Sequence, residues 1–272
     1  MNWSRTKSIF IICFLLLDVF LVFEMYMRQQ DESVEDVSDS GSKYNNYKAE
    51  TVIPSLPKDV TFLRGTRIDF NQQKDALVQL TDRKEDAEKQ KITLEEDGRQ
   101  LTGLFSTPKV LGNVKKNEDI QNTLLSMVYQ GQDYKFWELG ADKSTVKFVQ
   151  TYRNRPVYVS TRNRVQMLDF TVQGDQVTGF HQNYFKLSSN QNNQVDLINA
   201  EQAIKYLADR TDLVGYSTLH IKAIELCYLN TVGDGSADPL IFVPAWHITI
   251  RTNGHTSDYF VNAVSGNVQS VN

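Results

Sequence analysis

The 272-residue sequence has few cysteines, few prolines and no excess of basic charge. Its two cysteines, Cys13 and Cys227, are too few for a disulfide framework. Six prolines and 14 glycines exclude a collagen-like or low-complexity chain. Acidic residues outnumber basic ones by 33 to 29, and the isoelectric point is near 5.6. Because proteins that track nucleic-acid phosphates need a basic face, we expect no nucleic-acid partner.

Motifs for catalysis or metal binding are also missing. Gly215-Tyr216-Ser217 is not a nucleophile elbow, because Leu219 stands where the second glycine belongs. The four histidines and two cysteines form no pair with zinc-ligand spacing. Asn230, Asp234 and Asp238 suggest calcium, but they miss the EF-hand spacing and its closing glutamate, so an Asp/Gly turn is the simpler interpretation. We therefore predict a non-enzymatic protein with no cofactor and no metal.

Three other features are interpreted structurally. His247 alternates with the apolar Trp246 and Ile248 on a predicted strand, so we expect it to face outward and to be solvated. Cys227 lies between apolar neighbours and is predicted to be a buried thiol. A basic cluster is interpreted as a solvated hairpin rim, with an acidic partner or a cell-wall polymer as the alternative ligand. The cluster comprises residues 152–155, Arg162 and Arg164.

A long apolar run lies near the N-terminus. It extends from Ile9 to Tyr26, interrupted by Asp18 and Glu24, and as a helix its 18 residues would measure about 27 Å. That length approaches the roughly 30 Å hydrocarbon core of a bilayer. No small-residue cleavage site follows the run, so residues 9–27 are predicted to be an uncleaved transmembrane helix rather than a secretory signal.

The flanking charges predict the orientation of this anchor. Arg5 and Lys7 precede the run, whereas acidic residues dominate after it. Because basic residues remain on the cytoplasmic side, residues 1–8 are expected to be cytoplasmic and the large C-terminal part extracellular. The sequence thus predicts a single-pass protein of the cell membrane, with the lipid bilayer as one partner.

Asp18 is an unusual residue for the middle of a predicted transmembrane helix, because it is acidic. A carboxylate near mid-span costs about 2.5–3.5 kcal/mol on insertion scales and usually faces protein. One hypothesis is that Asp18 contacts a polar group on a partner helix; the alternative is that it is protonated, or tolerated with local water. The predicted contact face also contains Ile11, Phe14, Leu15, Leu21, Val22 and Met25.

Beyond the span, composition and pattern predict three regions. Residues 28–57 are acidic and polar and are predicted to be a flexible stalk. Residues 58–190 and 191–272 are predicted to be two α+β units, each a helix followed by an antiparallel meander. The similar spacing of the two units suggests a duplication.

Cap residues and alternation predict the elements of these units. Asn71 is a candidate cap for a helix that continues through residues 82–91, followed by a strand from Ile92. Asn117 is predicted to cap a second helix ending at Gly131, and Asn199 with Gln202 forms a capping box for a third that ends at Gly215. Asn253-Gly254 predicts a hairpin. The predicted strands are 134–139, 145–151, 156–160, 164–172, 177–185, 219–229, 240–250 and 258–263.

The N-terminal stretch Met1-Asn2-Trp3-Ser4-Arg5-Thr6-Lys7-Ser8-Ile9-Phe10-Ile11, with the continuation from Phe14 to Leu21, resembles the start of the YycI family. The resemblance extends to the plan of one anchor, an acidic stalk and an α+β extracellular domain. Residues 259–268 also look like the closing hairpin of PepSY-type modules, with Asn262 and Ser265 where those modules usually have Asp and Thr.

The resemblance to YycI implies an accessory regulator. Such proteins act with YycH on the sensor histidine kinase WalK, whose response regulator WalR controls cell-wall metabolism. Contacts between transmembrane helices are the family's proposed route to the kinase, and Asp18 lies in a suitable position for them. The alternative function is an extracellular binding or inhibitor module for a surface protease or a wall polymer.

Overall fold

The computed structural model describes residues 14–15, 17–22, 47–83, 85, 88–160, 163, 165–189, 195–210, 219–230, 238–252 and 254–270. The chain divides into two compact units, Met1–Asn45 and Asn46–Asn272. In the first unit, residues 14–15 and 17–22 are helical. Within the described ranges, no helix combines the length and the apolar character that crossing a membrane requires.

The second unit is an α+β structure dominated by strands, as the sequence predicts. Its α-helices are α1 (Lys74–Thr81), α2 (Glu118–Leu125) and α3 (Ala200–Ala208), and short 3-10 helices occur at Phe70–Gln72, Glu96–Gly98 and Gly131–Asp133. The first seven strands are β1 (Tyr47–Ala49), β2 (Leu63–Arg67), β3 (Gln90–Glu95), β4 (Gln100–Val110), β5 (Tyr134–Leu139), β6 (Thr145–Tyr152) and β7 (Arg155–Val159). The other seven are β8 (Leu168–Gln173), β9 (Gln176–Gln182), β10 (Phe185–Ser189), β11 (Leu219–Asn230), β12 (Leu240–Thr252), β13 (His255–Asn262) and β14 (Val268–Ser270).

These strands form one hydrogen-bonded network with two antiparallel parts. The first part has the order β5-β6-β8-β9-β4-β3, and the second has the order β11-β12-β13-β14. Strand β7 joins them, because it pairs antiparallel with β6 and parallel with β11. Strand β2 pairs with both β12 and β10. The antiparallel pairing predicted for both units is present, but the first meander is interrupted because β7 pairs with β11, and both parts belong to a single sheet.

The predicted caps of α2 and α3 are confirmed. The Asn117 side chain accepts hydrogen bonds from the backbone N–H groups of Asp119 and Ile120, and Asn199 and Gln202 form the complete capping box. The helix ends predicted at Gly131 and Gly215 are wrong, because α2 ends at Leu125 and α3 ends at Ala208. Glycine is needed at position 131 for another reason: a Cβ there would lie 1.9 Å from the carbonyl oxygen of Leu125.

The prediction for residues 71–91 is partly wrong. Asn71 lies inside a 3-10 turn that is capped by Asp69, and α1 begins only at Lys74. The helix ends at Thr81 instead of continuing through the charged residues that follow. Those residues lead into β3, which pairs along its whole length with β4. At the end of this stretch, Gln90 and Lys91 belong to β3, where pairing with β4 overrides their helical preference.

The predicted turns lie where expected in the described chain. Gly174 joins β8 to β9 with φ of 63°, and Gly254 has φ of 83° between the paired ends of β12 and β13. Positive φ is the conformation for which glycine has no steric penalty. Asn253 and Gly215 lie outside the described residues.

Strand boundaries agree closely in most places. The stretch predicted from 164 starts at Leu168, and the one predicted as 177–185 ends at Gln182 and is followed by the separate strand β10. The last segment forms the predicted hairpin of β13 and β14, in which Asn262 Oδ1 accepts from the N–H groups of Val264 and Ser265.

Buried aliphatic and aromatic side chains pack against both parts of the sheet. Phe105, Phe148, Phe170 and Phe180 pack together in the first part, with ring centroids 5.5 Å apart for Phe148 and Phe170. In the second part, α3 covers the sheet and buries Ala203, Ile204 and Leu207 completely. Trp246 of β12 is also completely buried, and its Nε1–H donates a hydrogen bond to the Ile198 carbonyl at 2.9 Å.

Candidate functional site

The predicted membrane contact face is described only in part. Asp18, Phe14, Leu15, Leu21 and Val22 lie in the helical residues of the first unit. Ile11 and Met25 lie outside the described residues. All five described side chains are exposed, with Phe14 and Val22 each 63% accessible. Leu17, Val19 and Phe20 are at least 54% accessible as well. The described helical stretch therefore presents apolar side chains on every side, with Asp18 as its one acidic group.

The second candidate feature is the strand that begins the second unit. The composition predicts a stalk over residues 28–57, but Tyr47–Ala49 form β1 and pair in parallel with Leu219–Ile221 of β11. The Glu50 backbone N–H continues this pairing with a hydrogen bond to Ile221 O at 2.9 Å. Ile53 and Leu56 are partly buried against the core. These contacts place residues 47–57 on the folded unit, because strand pairing and two apolar side chains offset the polar composition.

Glu50 clamps this strand to the sheet. Its Oε1 atom lies 3.0 Å from His220 Nδ1 and 3.2 Å from Arg251 Nη2, and its Oε2 pairs with Lys222 Nζ. His220 and Lys222 lie on β11 and Arg251 on β12. The hydrogen bond from Lys222, followed by that from His220, lowers the pKa of the Glu50 carboxyl to about 2. We define Glu50 with these three basic residues as the Glu50 clamp.

A third feature lies on the sheet face opposite α3. His247 of β12 stands directly across from Glu225 of β11 and Phe260 of β13. Its Nε2 atom lies 3.1 Å from Asp258 Oδ1, and its Nδ1 atom lies 3.6 Å from Glu225 Oε1. Thr249 donates a hydrogen bond to the same Asp258 oxygen at 2.5 Å. The imidazole is thus held between two carboxylates, and we name these residues the His247 cluster.

Residues from the first part of the sheet cover this cluster. The Tyr158 ring of β7 lies 5.4 Å from the His247 ring, and Trp137 of β5 packs edge-on against Tyr158. Phe260 stacks on the imidazole at 4.9 Å, and Lys135 of β5 forms an ion pair with Glu225 at 3.1 Å. The cluster therefore joins the two parts of the sheet by charge as well as by packing.

The prediction that His247 is solvated is wrong, because its side chain is only 13% exposed. The direction was predicted correctly: Trp246, Ile248 and Ile250 face the core and His247 faces away from it. Alternation along a strand identifies the two faces but does not reveal what covers each of them. Here β7 lies beside β11 and places Tyr158 over the histidine.

The cluster perturbs the pKa of each ionisable partner. Burial alone would lower the pKa of His247, but the hydrogen bonds to Asp258 and Glu225 outweigh burial and raise it. For Glu225, the hydrogen bond from His247 lowers the carboxyl pKa. Burial raises the Asp258 pKa, but hydrogen bonds from His247 and Thr249 outweigh it, so the net shift is downward. These shifts favour the state in which the imidazolium and both carboxylates are charged.

This arrangement predicts a pH-dependent contribution to stability. The His247 contribution is complete below the unfolded pKa of about 6.5 and is lost as the pH rises through the raised folded pKa. The carboxylate contribution is present above about pH 4 and is lost as the pH falls. We therefore expect His247→Gln to lower the free energy of unfolding by about 1 kcal/mol near pH 5.5, because the carboxylates are partly solvated, and by less near pH 8.5. Urea denaturation at both pH values measures this difference, and an equal loss at both would contradict it.

The other residues singled out in the sequence have structural roles where they are described. Asn230 is buried and donates to the Ile241 carbonyl, and Asp238 forms an ion pair with Arg99 at 2.9 Å, whereas Asp234 lies outside the described residues. Over the described ranges, no group of three or more His, Cys, Asp or Glu side chains has a geometry that could hold a metal ion. Arg153 and Arg155 both pair with Asp59. Arg162 and Arg164 are outside the described residues, and Cys227 is buried as predicted.

Comparison with known proteins identifies the family. The family model described as YycI protein matches residues 29–264, most of the chain and nearly all of the second unit. The chain belongs to the YycI family. A search of curated proteins found no match.

Several solved structures also align with this YycI chain. An uncharacterized protein from Eubacterium rectale ATCC 33656 is 7% identical, with a TM-score of 0.47 over 82% of this chain and 89% of that one. YycH from Bacillus subtilis is 16% identical, with a TM-score of 0.39 over 75% of this chain and 51% of that one. The YpeB C-terminal domain from Bacillus megaterium is 13% identical, with a TM-score of 0.40 over 76% and 100%, respectively. The assignment to YycI rests on the family match.

Membership establishes the general role of the chain. YycI proteins are accessory regulators associated with the WalK two-component system, and the family is not known for enzymatic activity. The sequence predicted this role, and it also predicted a membrane contact face around Asp18. It did not predict the Glu50 clamp, because Glu50 and its basic partners are far apart in the chain, or the His247 cluster, because the pairing of β11, β12 and β13 that brings its members together was not assigned a register. The signal available beforehand was the occurrence of charged residues at alternate positions of predicted strands, such as Glu225 and His247.

Proposed function

We propose that this YycI protein is a non-enzymatic, membrane-anchored regulator that acts on a WalK-type histidine kinase together with a YycH-type partner. The observation that carries the proposal is the family match over residues 29–264. In this role the protein influences cell-wall metabolism by changing the population of kinase states, so it must interact differently with the two states of the kinase.

The proposed anchor is the helix over residues 9–27, with residues 1–8 in the cytoplasm and the second unit outside the cell. Its apolar composition and the basic residues Arg5 and Lys7 support this orientation. The high exposure of the described residues from Phe14 to Val22 also supports it, because a helix that is apolar on all sides needs an apolar environment.

Asp18 is proposed to contact a polar group on the kinase or on the YycH-type partner within the bilayer. A buried carboxylate in lipid is stabilised by a hydrogen-bonding partner, and polar contacts between transmembrane helices are worth about 0.6–2 kcal/mol each. The neighbouring apolar face provides the packing surface for that contact. Its described members are Phe14, Leu15, Leu21 and Val22, and its remaining members are Ile11 and Met25.

The second unit is proposed to bind the extracellular part of the YycH-type partner and to transmit that contact toward the membrane. The chain that follows the proposed anchor enters the sheet at β1, which the Glu50 clamp ties to β11 and β12. A change in β11 or β12 therefore acts directly on β1, the first strand of the second unit.

Asp18→Leu tests the membrane contact. We expect this variant to recover about three- to tenfold less kinase when the full-length protein is purified from membranes that contain the kinase and the YycH-type partner, because one intramembrane hydrogen bond is lost. The kinase is quantified by immunoblotting. Thermal unfolding of the second unit should not change, since residue 18 belongs to the other unit.

Phe14 and Phe20 provide a matched pair that tests whether kinase recovery depends on the predicted contact face around Asp18. Phe14 lies about 40° from Asp18 around an ideal helix, whereas Phe20 lies about 200° away. Phe14→Ala is expected to weaken kinase recovery and Phe20→Ala to leave it nearly unchanged. Equal recovery for all three variants would refute the Asp18 face. Retention of both partners by a span-swapped protein and by the isolated second unit would instead favour an extracellular binding module.

A further inference from the structure

A surface cavity of about 460 Å³ lies beside the start of α1. It is lined by residues 71–76, Gln79, Tyr129 and Gln130. This volume falls within the range of about 300–1,000 Å³ that is typical of small-molecule sites. Neither the Glu50 clamp nor the His247 cluster contributes to the lining, so the cavity is distinct from both.

Carboxamide side chains dominate the cavity wall. Five of the nine lining residues carry one, and they are Asn71, Gln72, Gln73, Gln79 and Gln130. Each carboxamide is uncharged and offers both hydrogen-bond donors and an acceptor. The two charged lining residues, Lys74 and Asp75, have opposite signs. The wall is therefore strongly polar and formally neutral.

Several of these amides retain hydrogen-bonding capacity. Gln73 Oε1 accepts from the Tyr129 hydroxyl at 3.4 Å, which leaves the Gln73 amino group for a ligand. Gln72 Nε2 donates to Asp69 at 3.3 Å, which leaves the Gln72 carbonyl oxygen. Within the described part of the chain, the exposed Gln79 side chain forms no hydrogen bond. The cavity thus offers donors and acceptors close together.

Tyr129 adds an aromatic surface that is held in place before any ligand binds. Its ring packs edge-on against Phe70, with centroids 5.5 Å apart, and against Tyr184 at 5.1 Å. The Gln182 side chain accepts from the Tyr129 N–H at 3.0 Å and donates to the Tyr129 carbonyl at 2.7 Å. Because these contacts fix the ring, a ligand would not have to order it on binding.

From this lining we propose that the cavity binds an uncharged oligosaccharide bearing hydroxyl and acetamido groups. Hydroxyl and acetamido groups each both donate and accept hydrogen bonds, which matches a wall of neutral carboxamides, and Tyr129 is the aromatic side chain in the lining that a sugar ring would meet. An apolar ligand would leave the amides without partners, which is unfavourable. An anion would meet Asp75 as well as Lys74. This inference does not depend on the proposed role in kinase regulation.

Isothermal titration calorimetry of the full-length protein in detergent tests the proposal. The probes are N,N′,N″,N‴-tetraacetylchitotetraose and, as an oligosaccharide without acetamido groups, maltotetraose. We expect saturable binding of the acetylated probe with a Kd of about 1 mM or tighter and weaker binding of maltotetraose. Gln79→Leu and Gln72→Leu should each weaken binding of the acetylated probe about three- to tenfold, because each removes a polar contact.

Gln176→Leu is the matched control, since Gln176 is an exposed carboxamide on β9 that does not line the cavity. It should leave the affinity unchanged, and matched thermal unfolding curves should show that all three variants are folded. The proposal is overturned if the acetylated probe gives no saturable heat. It is also overturned if Gln79→Leu and Gln72→Leu bind like the wild type, or if a neutral dipeptide competes as strongly as the oligosaccharide.

Discussion

Replacing Trp246 with alanine is expected to lower the free energy of unfolding of the second unit by about 3–5 kcal/mol, the usual cost of removing a large aromatic side chain from a core. Trp246 is completely buried in β12 beneath α3. Ala203, Ile204 and Leu207 of α3, which packs on β12, are also inaccessible, so we expect the neighbouring backbone to have little freedom to fill the space. Urea denaturation of residues 46–272, followed by circular dichroism, measures the change.

Trp246→Phe separates packing from hydrogen bonding at this position. Phenylalanine retains much of the apolar volume but cannot donate to the Ile198 carbonyl, which the indole contacts at 2.9 Å. Leaving a buried carbonyl without its partner costs about 1–3 kcal/mol, so this variant should lie between the wild type and Trp246→Ala. Trp137→Ala is the matched control on a partly buried side chain, and it should cost less than Trp246→Ala. Equal losses for the two alanine variants would contradict the burial argument.

Local signals account for the elements that the sequence predicts well. Helix α3 is marked by a capping box at Asn199 and Gln202 and by an apolar face, all within ten residues. Strands β11 and β12 are long and rich in β-branched and aromatic residues, and glycine marks the turn between β12 and β13. Such features depend on neighbours in the chain, so one sequence is enough to identify them.

Pairing between distant segments accounts for most of the differences between the sequence-based prediction and the structure. β1 pairs with residues at 219–221, and β7 pairs in parallel with residues at 228–230. A three-residue strand within a polar segment has no periodic pattern of its own, so composition predicts a stalk there. The same distant pairing places Tyr158 over His247 and turns an outward-facing histidine into a partly buried one.

The candidate sites likewise divide into one that local sequence signals reveal and others that depend on distant partners. Asp18 is recognisable from the sequence because a carboxylate within an apolar run is unusual whatever it contacts. Glu50 is not recognisable in this way, because acidic residues are common in the preceding segment and its basic partners come 170 or more positions later. Sequence therefore identifies residues that conflict with their local surroundings, whereas the structure is needed for residues whose partners are distant.

A fragment that begins at residue 58 is expected to be less stable than one that begins at residue 46 by about 2–4 kcal/mol. The shorter fragment lacks β1, whose backbone pairs with β11, and the partly buried side chains of Ile53 and Leu56. Each lost hydrogen bond and each partly buried aliphatic side chain contributes about 1 kcal/mol. Urea denaturation of the two fragments measures the difference. The fragment starting at residue 58 begins where the amino-acid composition predicts that the stalk ends.

Two substitutions in the longer fragment test which contacts of residues 46–57 contribute to the free energy of unfolding. Glu50→Gln removes the charge that pairs with Lys222 and Arg251 but leaves the β1 pairing, so its effect should shrink in high salt. Leu56→Ala removes a packing contact, and its effect should not depend on salt. Val52→Ala, at a side chain that is 87% exposed, is the control and should have no effect. If both fragments unfold at the same urea concentration, β1 contributes nothing to the unit, and the proposed transmission of movement through the Glu50 clamp fails with it.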